Sequence, residues 1–303
     1  MRWYALLLTG VFCISTSAIL VTLSGAPPTV SAFYRNFFAA VIWLLLFPWS
    51  RPFAPMPRRS SSPAENVPEP RCCAFLTVTL TASPLLLLLA VLFSVDLWAW
   101  HRAIFFLGAG PATLMGNLQV LIVSLLAVYF FRERLGRWFW FGVFLALFGI
   151  GLLTMANGIG ADIGKGLAYG GLTALTYSFF LVLLRILDRY QVDPPQILFR
   201  VALFSALFLW LIMAAEGVSP QLGAASLLWL FAHAFVSSVV GWWLIIRAMP
   251  RVRVSIASTL LLLQPVLTSI WGHFFLGQIL SLPQVIGILL ALAGIRLATW
   301  QTR

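Results

Sequence analysis

Residues 98–119 read WAWHRAIFFLGAGPATLMGNLQ, and 145 positions later residues 243–264 read WLIIRAMPRVRVSIASTLLLLQ. Extended to 98–152 against 243–297, the two stretches share sixteen identical pairs, among them Trp98/Trp243, Arg102/Arg247, Gln119/Gln264, Gly142/Gly287 and Gly149/Gly294. Sixteen of fifty-five positions exceeds what a Leu-rich composition produces by chance. Self-similarity at a fixed period marks a duplicated unit. In an apolar chain it points to a transporter built from two related halves.

The rest of the 303-residue chain sets the environment of that unit. It is 61% hydrophobic and 9% charged, against roughly 25% charged in a soluble domain, so it reads as an all-α polytopic membrane protein. About 20 apolar residues cross a bilayer as one helix. Ten spans follow, near 3–24, 29–49, 80–105, 111–131, 138–156, 164–184, 196–215, 227–247, 254–275 and 282–300. The net charge of +11 comes almost wholly from arginines between apolar runs, which act as topology signals rather than as a nucleic-acid surface. With the N-terminus cytoplasmic, sixteen basic residues fall inside and only Arg35, Arg102 and Lys165 outside. Both termini are then expected in the cytoplasm of a plasma (inner) membrane protein.

The two copies sit in spans 3–5 and 8–10, five crossings apart, and an odd number of crossings inverts the unit. The expectation is two inverted five-helix repeats, residues 1–157 and 164–303. Residues 50–74, rich in Pro and Ser, are expected to be a disordered cytoplasmic loop. The apolar N-terminal run is taken as a retained first helix rather than a cleaved signal. Cys13, Cys72 and Cys73 offer neither a disulfide framework nor metal-ligand spacing. The short connections carry no phosphate-cradling loop, and no cofactor is expected.

Ionisable groups inside hydrocarbon are costly, so each is a candidate site residue. Asp96 lies near the midplane of span 3, about 13 Å from its end at 1.5 Å per residue. It reads either as a proton carrier or as a structural partner of Arg35 or Arg102. The second copy has Gly241 there, so any such site is asymmetric. Helical spacing places Trp100 about 40° from Asp96, on one cavity wall, and turns His101 and Arg102 toward a neighbouring helix or the outer mouth. Span 4 carries Thr113 and Asn117 on one stripe and Gln119 on another. Span 9 carries Gln264 and Thr268, with Pro265 interrupting the helix. Gln119 and Gln264 either bind the two helices together or line the substrate path, where the carbonyls freed by Pro265 are of use. Arg35 either attracts an anionic group or snorkels, and His233 and His273 read as hydrogen-bonded structural imidazoles.

The run Asp96-Leu97-x-x-Trp100-His101-Arg102, then Ala112-Thr113-x3-Asn117-x-Gln119, then Arg132-Glu133-Arg134-Leu135, resembles the EamA family of the drug/metabolite transporter superfamily, in two copies across nearly the whole chain. The resemblance implies ten helices, a central cavity, alternating access and export of small metabolites such as amino acids. Gln278 replaces Glu133 in the second copy, a departure expected to act on structure or gating. The expected partners are a small-molecule substrate and the bilayer, with the protein a monomer or homodimer. A carrier for organic phosphates or nucleotide sugars, using Arg35 and Arg102, is the second reading. An intramembrane enzyme lacks its DDxxD or HExxH motif.

Overall fold

Apolar runs closed off by prolines and glycines become ten membrane-length helices in the computed structural model, which describes residues 2–46, 71–107, 109–155, 162–190 and 192–300. Spans 1 to 10 are Arg2–Ser24, Pro28–Leu46, Pro84–Leu107, Pro111–Phe131, Arg137–Thr154, Ile163–Leu187, Pro194–Ala215, Ala224–Arg251, Val254–Leu276 and Leu282–Trp300. The protein is an integral membrane protein. The helix of span 3 begins earlier than expected, at Arg71, so the expected loop lies outside the described residues up to position 70. Proline stands at the start of spans 2 and 7, where its missing N–H costs nothing. Spans 4 and 9 end alike. Arg132 (φ 53°) and Gly277 (φ 65°), corresponding positions in the two copies, both take the left-handed conformation. The next amides, of Glu133 and Gln278, then reach back to Ala127 and Gly272, each at 3.2 Å.

Span 5 packs along span 10, span 3 on spans 6 and 7, span 1 on spans 8 and 9, span 2 on spans 7 and 8, and span 4 on spans 6 and 9. The span 5–span 10 contact is set by glycine. A Cβ on Gly142 would lie 2.6 Å from the Gly294 carbonyl oxygen, and one on Gly149 2.6 Å from that of Gly287. Positions rise along one span as they fall along the other, so the helices run antiparallel, backbone against backbone. Such close approach is how helices associate where lipid removes the hydrophobic drive. Span 1 crosses span 8 in the same way: a Cβ on Gly241 would come within 2.8 Å of Ile14 Cγ2 and 3.3 Å of the Gly10 oxygen. Packing therefore accounts for the glycine that corresponds to Asp96.

Three spans break near their middles. Span 1 breaks at Thr16, whose hydroxyl bonds the Cys13 carbonyl at 2.7 Å, a local competitor for the helical hydrogen bond. Span 4 breaks at Leu118, between helices Ala109–Asn117 and Gln119–Phe131. Span 9 breaks at Leu262, three residues before Pro265, which removes a donor from the turn. Span 8 carries a π-helical segment, Ala234–Gly241, a form often found at functional sites.

Burial separates the two ends of the bundle. In span 9 every residue from 254 to 262, on the N-terminal side of the break, is buried, whereas beyond it only Pro265 and Val266 are buried through Trp271. Span 4 mirrors this, since between Pro111 and Leu118, on the far side of its break, only Ala112 is buried. The bundle is thus tight at the N-terminal end and loose at the opposite, far end.

Candidate functional site

Polar side chains from five spans converge near the breaks. Asp96 on span 3 is only 8% exposed. Arg35 on span 2 and Tyr177 on span 6 are its electrostatic neighbours. The Arg35–Asp96 pair is not in contact: no ion pair within 4.0 Å joins them. Arg35 instead donates Nε–H to Ser238 Oγ at 3.0 Å, in the π segment, and lies 5.4 Å from the Phe93 ring centroid. His101 is bonded through Nδ1 to the Leu97 carbonyl at 2.7 Å. His233 is bonded through Nε2 to Ser17 Oγ at 2.6 Å, while its buried Nδ1 has no partner. Both imidazoles lie in the field of Arg35.

On the N-terminal side of this cluster lie packed aromatic rings. Phe93 stacks on Phe180 at 5.0 Å, and Trp242 stands edge-on to both at 5.9 and 5.4 Å. On the other side Trp100 is half-buried against the His101 ring, 5.1 Å away, with Gly116 facing it from span 4. Charged and polar side chains gathered between packed aromatics and an indole offer partners to a small molecule carrying both charge signs.

The remaining candidates are placed as follows. Gln119 is buried; its Oε1 has no partner and its Nε2 points at the Ser258 carbonyl, 3.5 Å away. Its corresponding residue Gln264 is half-buried on the loose side. Asn117 donates to the Thr113 carbonyl at 2.7 Å within its own helix, and Thr113 is half-buried one turn earlier. Thr268 donates to the Ser15 carbonyl at 2.8 Å, and Trp271 Nε1 to Ser15 Oγ at 2.8 Å. These two tie span 9 to span 1.

Arg102 lies apart from this cluster. It pairs with Glu216 Oε1 at 2.6 Å, at the far end, as its helical angle suggested. Glu216 closes span 7 and also accepts Trp98 Nε1–H at 3.0 Å and the Thr29 hydroxyl at 3.0 Å. Burial alone would raise its pKa, but these three donors hold it below the ordinary 4.5. A carboxylate with a depressed pKa stabilises the fold above its unfolded pKa and loses that contribution as pH falls through the folded one. Glu216→Gln is therefore expected to lower Tm at neutral pH by the equivalent of about 1 kcal/mol. Between pH 6 and pH 4 the difference should shrink; a gap that widens on acidification contradicts this role.

Tyr177, Ser238 and Glu216 were not legible as site residues. Tyr177 lies in a span outside the duplicated stretch, and Glu216 is a lone acid at the end of an apolar run. The signal for Glu216 was that Arg102 sits at the same end of the bundle.

A sequence model of the EamA-like transporter family matches residues 1–155 and again residues 164–300. The chain belongs to the EamA-like transporter family. It thereby falls within the drug/metabolite transporter superfamily, and this EamA protein is a membrane transporter. It is 28% identical over 291 residues to the uncharacterized transporter YcbK of Bacillus subtilis (strain 168), which covers 93% of this chain and 87% of the relative. A solved crystal structure superposes on the EamA fold with a TM-score of 0.80 over 98% of this chain and 96% of its own. At 17% identity that likeness concerns the fold alone.

Proposed function

We propose that the protein exports small zwitterionic metabolites, amino acids or related compounds, by alternating access between two inverted five-span halves, 1–157 and 164–303. The observation that carries the substrate class is that Arg35 on span 2 and the buried Asp96 on span 3, groups of opposite formal charge, are not joined by an ion pair within 4.0 Å. Unpaired charges inside a membrane protein are costly. A ligand whose carboxylate meets Arg35 and whose ammonium meets Asp96 relieves both. The inverted arrangement is supported by the packing: exchanging spans 1–5 for 6–10 returns the same set of neighbours, 3 on 6 for 8 on 1 and 5 on 10 for itself. The weight of arginine at the N-terminal end supports a cytoplasmic N-terminus in the plasma (inner) membrane. In that orientation the loose end faces outward. The organic-phosphate reading needs a second cation beside Arg35, and Arg102 is paired with Glu216 instead.

The test is a thermal-shift screen of purified protein against free amino acids, their amines, their keto acids and sugar phosphates. Each stabilising compound is then followed as radiolabel in proteoliposomes. At a hundred times Kd a ligand stabilises by about 2.7 kcal/mol. Zwitterions should shift Tm more than either single-charge analogue. Stabilisation by sugar phosphates alone sinks the assignment.

A further inference from the structure

The contact between spans 4 and 9 is made at one end only, while the residues to make it at the other end are already in place. At the N-terminal end Glu133, in the connection after span 4, accepts Val254 N–H at 2.9 Å and the Ser255 hydroxyl, capping the start of span 9. Deeper in the same contact the Gln119 amide points at the Ser258 carbonyl. Advanced by the 145-residue period, Glu133 becomes Gln278 and Gln119 becomes Gln264. Moved back by it, Val254, Ser255 and Ser258 become Ala109, Gly110 and Thr113.

Among the described side chains the corresponding far-end contacts are not made. The Gln278 side chain folds back over Gly272, and the Gln278 backbone carbonyl is bonded to His273 Nδ1 at 2.7 Å. The Thr113 carbonyl is occupied by Asn117. Yet Arg132 and Gly277 give Glu133 and Gln278 matching backbone frames, so the difference between the two ends lies in the side chains.

We propose that transport breaks the Glu133 cap and replaces it at the far end, with Gln278 capping the start of span 4 and the Gln264 amide meeting the Thr113 carbonyl. Glu133, Gln278 and Gln264 are then positioning residues of the transport cycle, outside the charged cluster. This rests on the alternating-access reading above. The exchange is unequal. A carboxylate on a helix N-terminus, with two donors and the helix dipole in its favour, holds better than a neutral amide. The form closed at the N-terminal end is therefore the resting one, and Glu133→Gln brings the two ends closer to balance.

The experiment uses the full chain in proteoliposomes with Cys13, Cys72 and Cys73 replaced by serine. One sample carries Glu133→Cys with Ser255→Cys; the other carries Gln278→Cys with Gly110→Cys, or with Ala109→Cys where the first does not fold. Oxidative cross-linking is expected in both. Adding Glu133→Gln to the second pair should raise its cross-linking rate roughly tenfold, the worth of a charge-assisted hydrogen bond. In parallel, Asn117→Cys is labelled with a membrane-impermeant maleimide from each side. Labelling from both sides with no cross-link in the second pair, even with Glu133→Gln present, overturns the exchange and leaves alternating access standing. Labelling from one side only overturns both.

Discussion

Asp96→Asn should reduce transport of a zwitterionic substrate at least 30-fold, and Arg35→Gln should do the same. Removing one partner of a desolvated, hydrogen-bonded charge pair costs about 2–5 kcal/mol, which at 1.36 kcal/mol per decade is 30-fold or more. The two substitutions differ in what they lose. Without the Asp96 carboxylate, discrimination against the keto acid collapses, because the ammonium no longer has a counter-charge. Without the Arg35 guanidinium, discrimination against the amine collapses. Uptake into proteoliposomes of the amino acid, the amine and the keto acid, measured for both variants, separates these outcomes. If both variants lose all three compounds in equal proportion, the pair is a structural support for spans 2 and 3 and not the two ends of a binding site. Ser238 makes this concrete, since it holds the guanidinium through Nε and leaves the terminal nitrogens of Arg35 to a ligand.

Gly149→Val should be the most damaging single change to the fold. The nearest atoms to a Cβ at this position are the Ala291 amide nitrogen at 2.4 Å and the Gly287 oxygen at 2.6 Å, backbone atoms that cannot rotate away. Spans 5 and 10 must separate along their length, at about 3–5 kcal/mol. Thermal unfolding by intrinsic fluorescence, together with size-exclusion profiles after extraction, checks this. Gly171→Ala is the control. Nothing lies within 4 Å of a Cβ there, and replacing a helical glycine by alanine is expected to stabilise by about 0.5–1 kcal/mol. Equal loss in both variants would show that the damage does not come from the span 5–span 10 contact.

Much of this was legible because membrane spans declare themselves by length and apolarity, and because the two copies could be aligned on Trp98/Trp243 and Gln119/Gln264. Asp96 stood out for the same reason, as a charge inside an apolar run. The partners of that charge did not. Tyr177 neighbours Asp96 and Arg35 from span 6 and Ser238 accepts from Arg35 in span 8, and nothing local in those segments distinguishes them from other polar residues in helices. The breaks were half legible. Pro265 announced the one in span 9, but Thr16 and Leu118 break spans 1 and 4 with no proline at the break, through hydroxyl and amide groups that bond back to their own helices. Gln119 and Gln264 show the limit most plainly. They are indistinguishable in the alignment, yet one is buried in a closed contact and the other half-buried on the loose side.

The glycine contact of spans 5 and 10 has a property beyond its tightness. Gly142-x3-Ala146-x2-Gly149 faces Gly287-x3-Ala291-x2-Gly294, running the other way. Each helix therefore meets a surface with the same spacing as its own, and the contact is self-complementary. A fragment ending after residue 155 would carry one whole side of it. The other side lies wholly in the second half, and since each of the four glycines meets backbone of the opposing helix, a larger residue in either half damages the same contact.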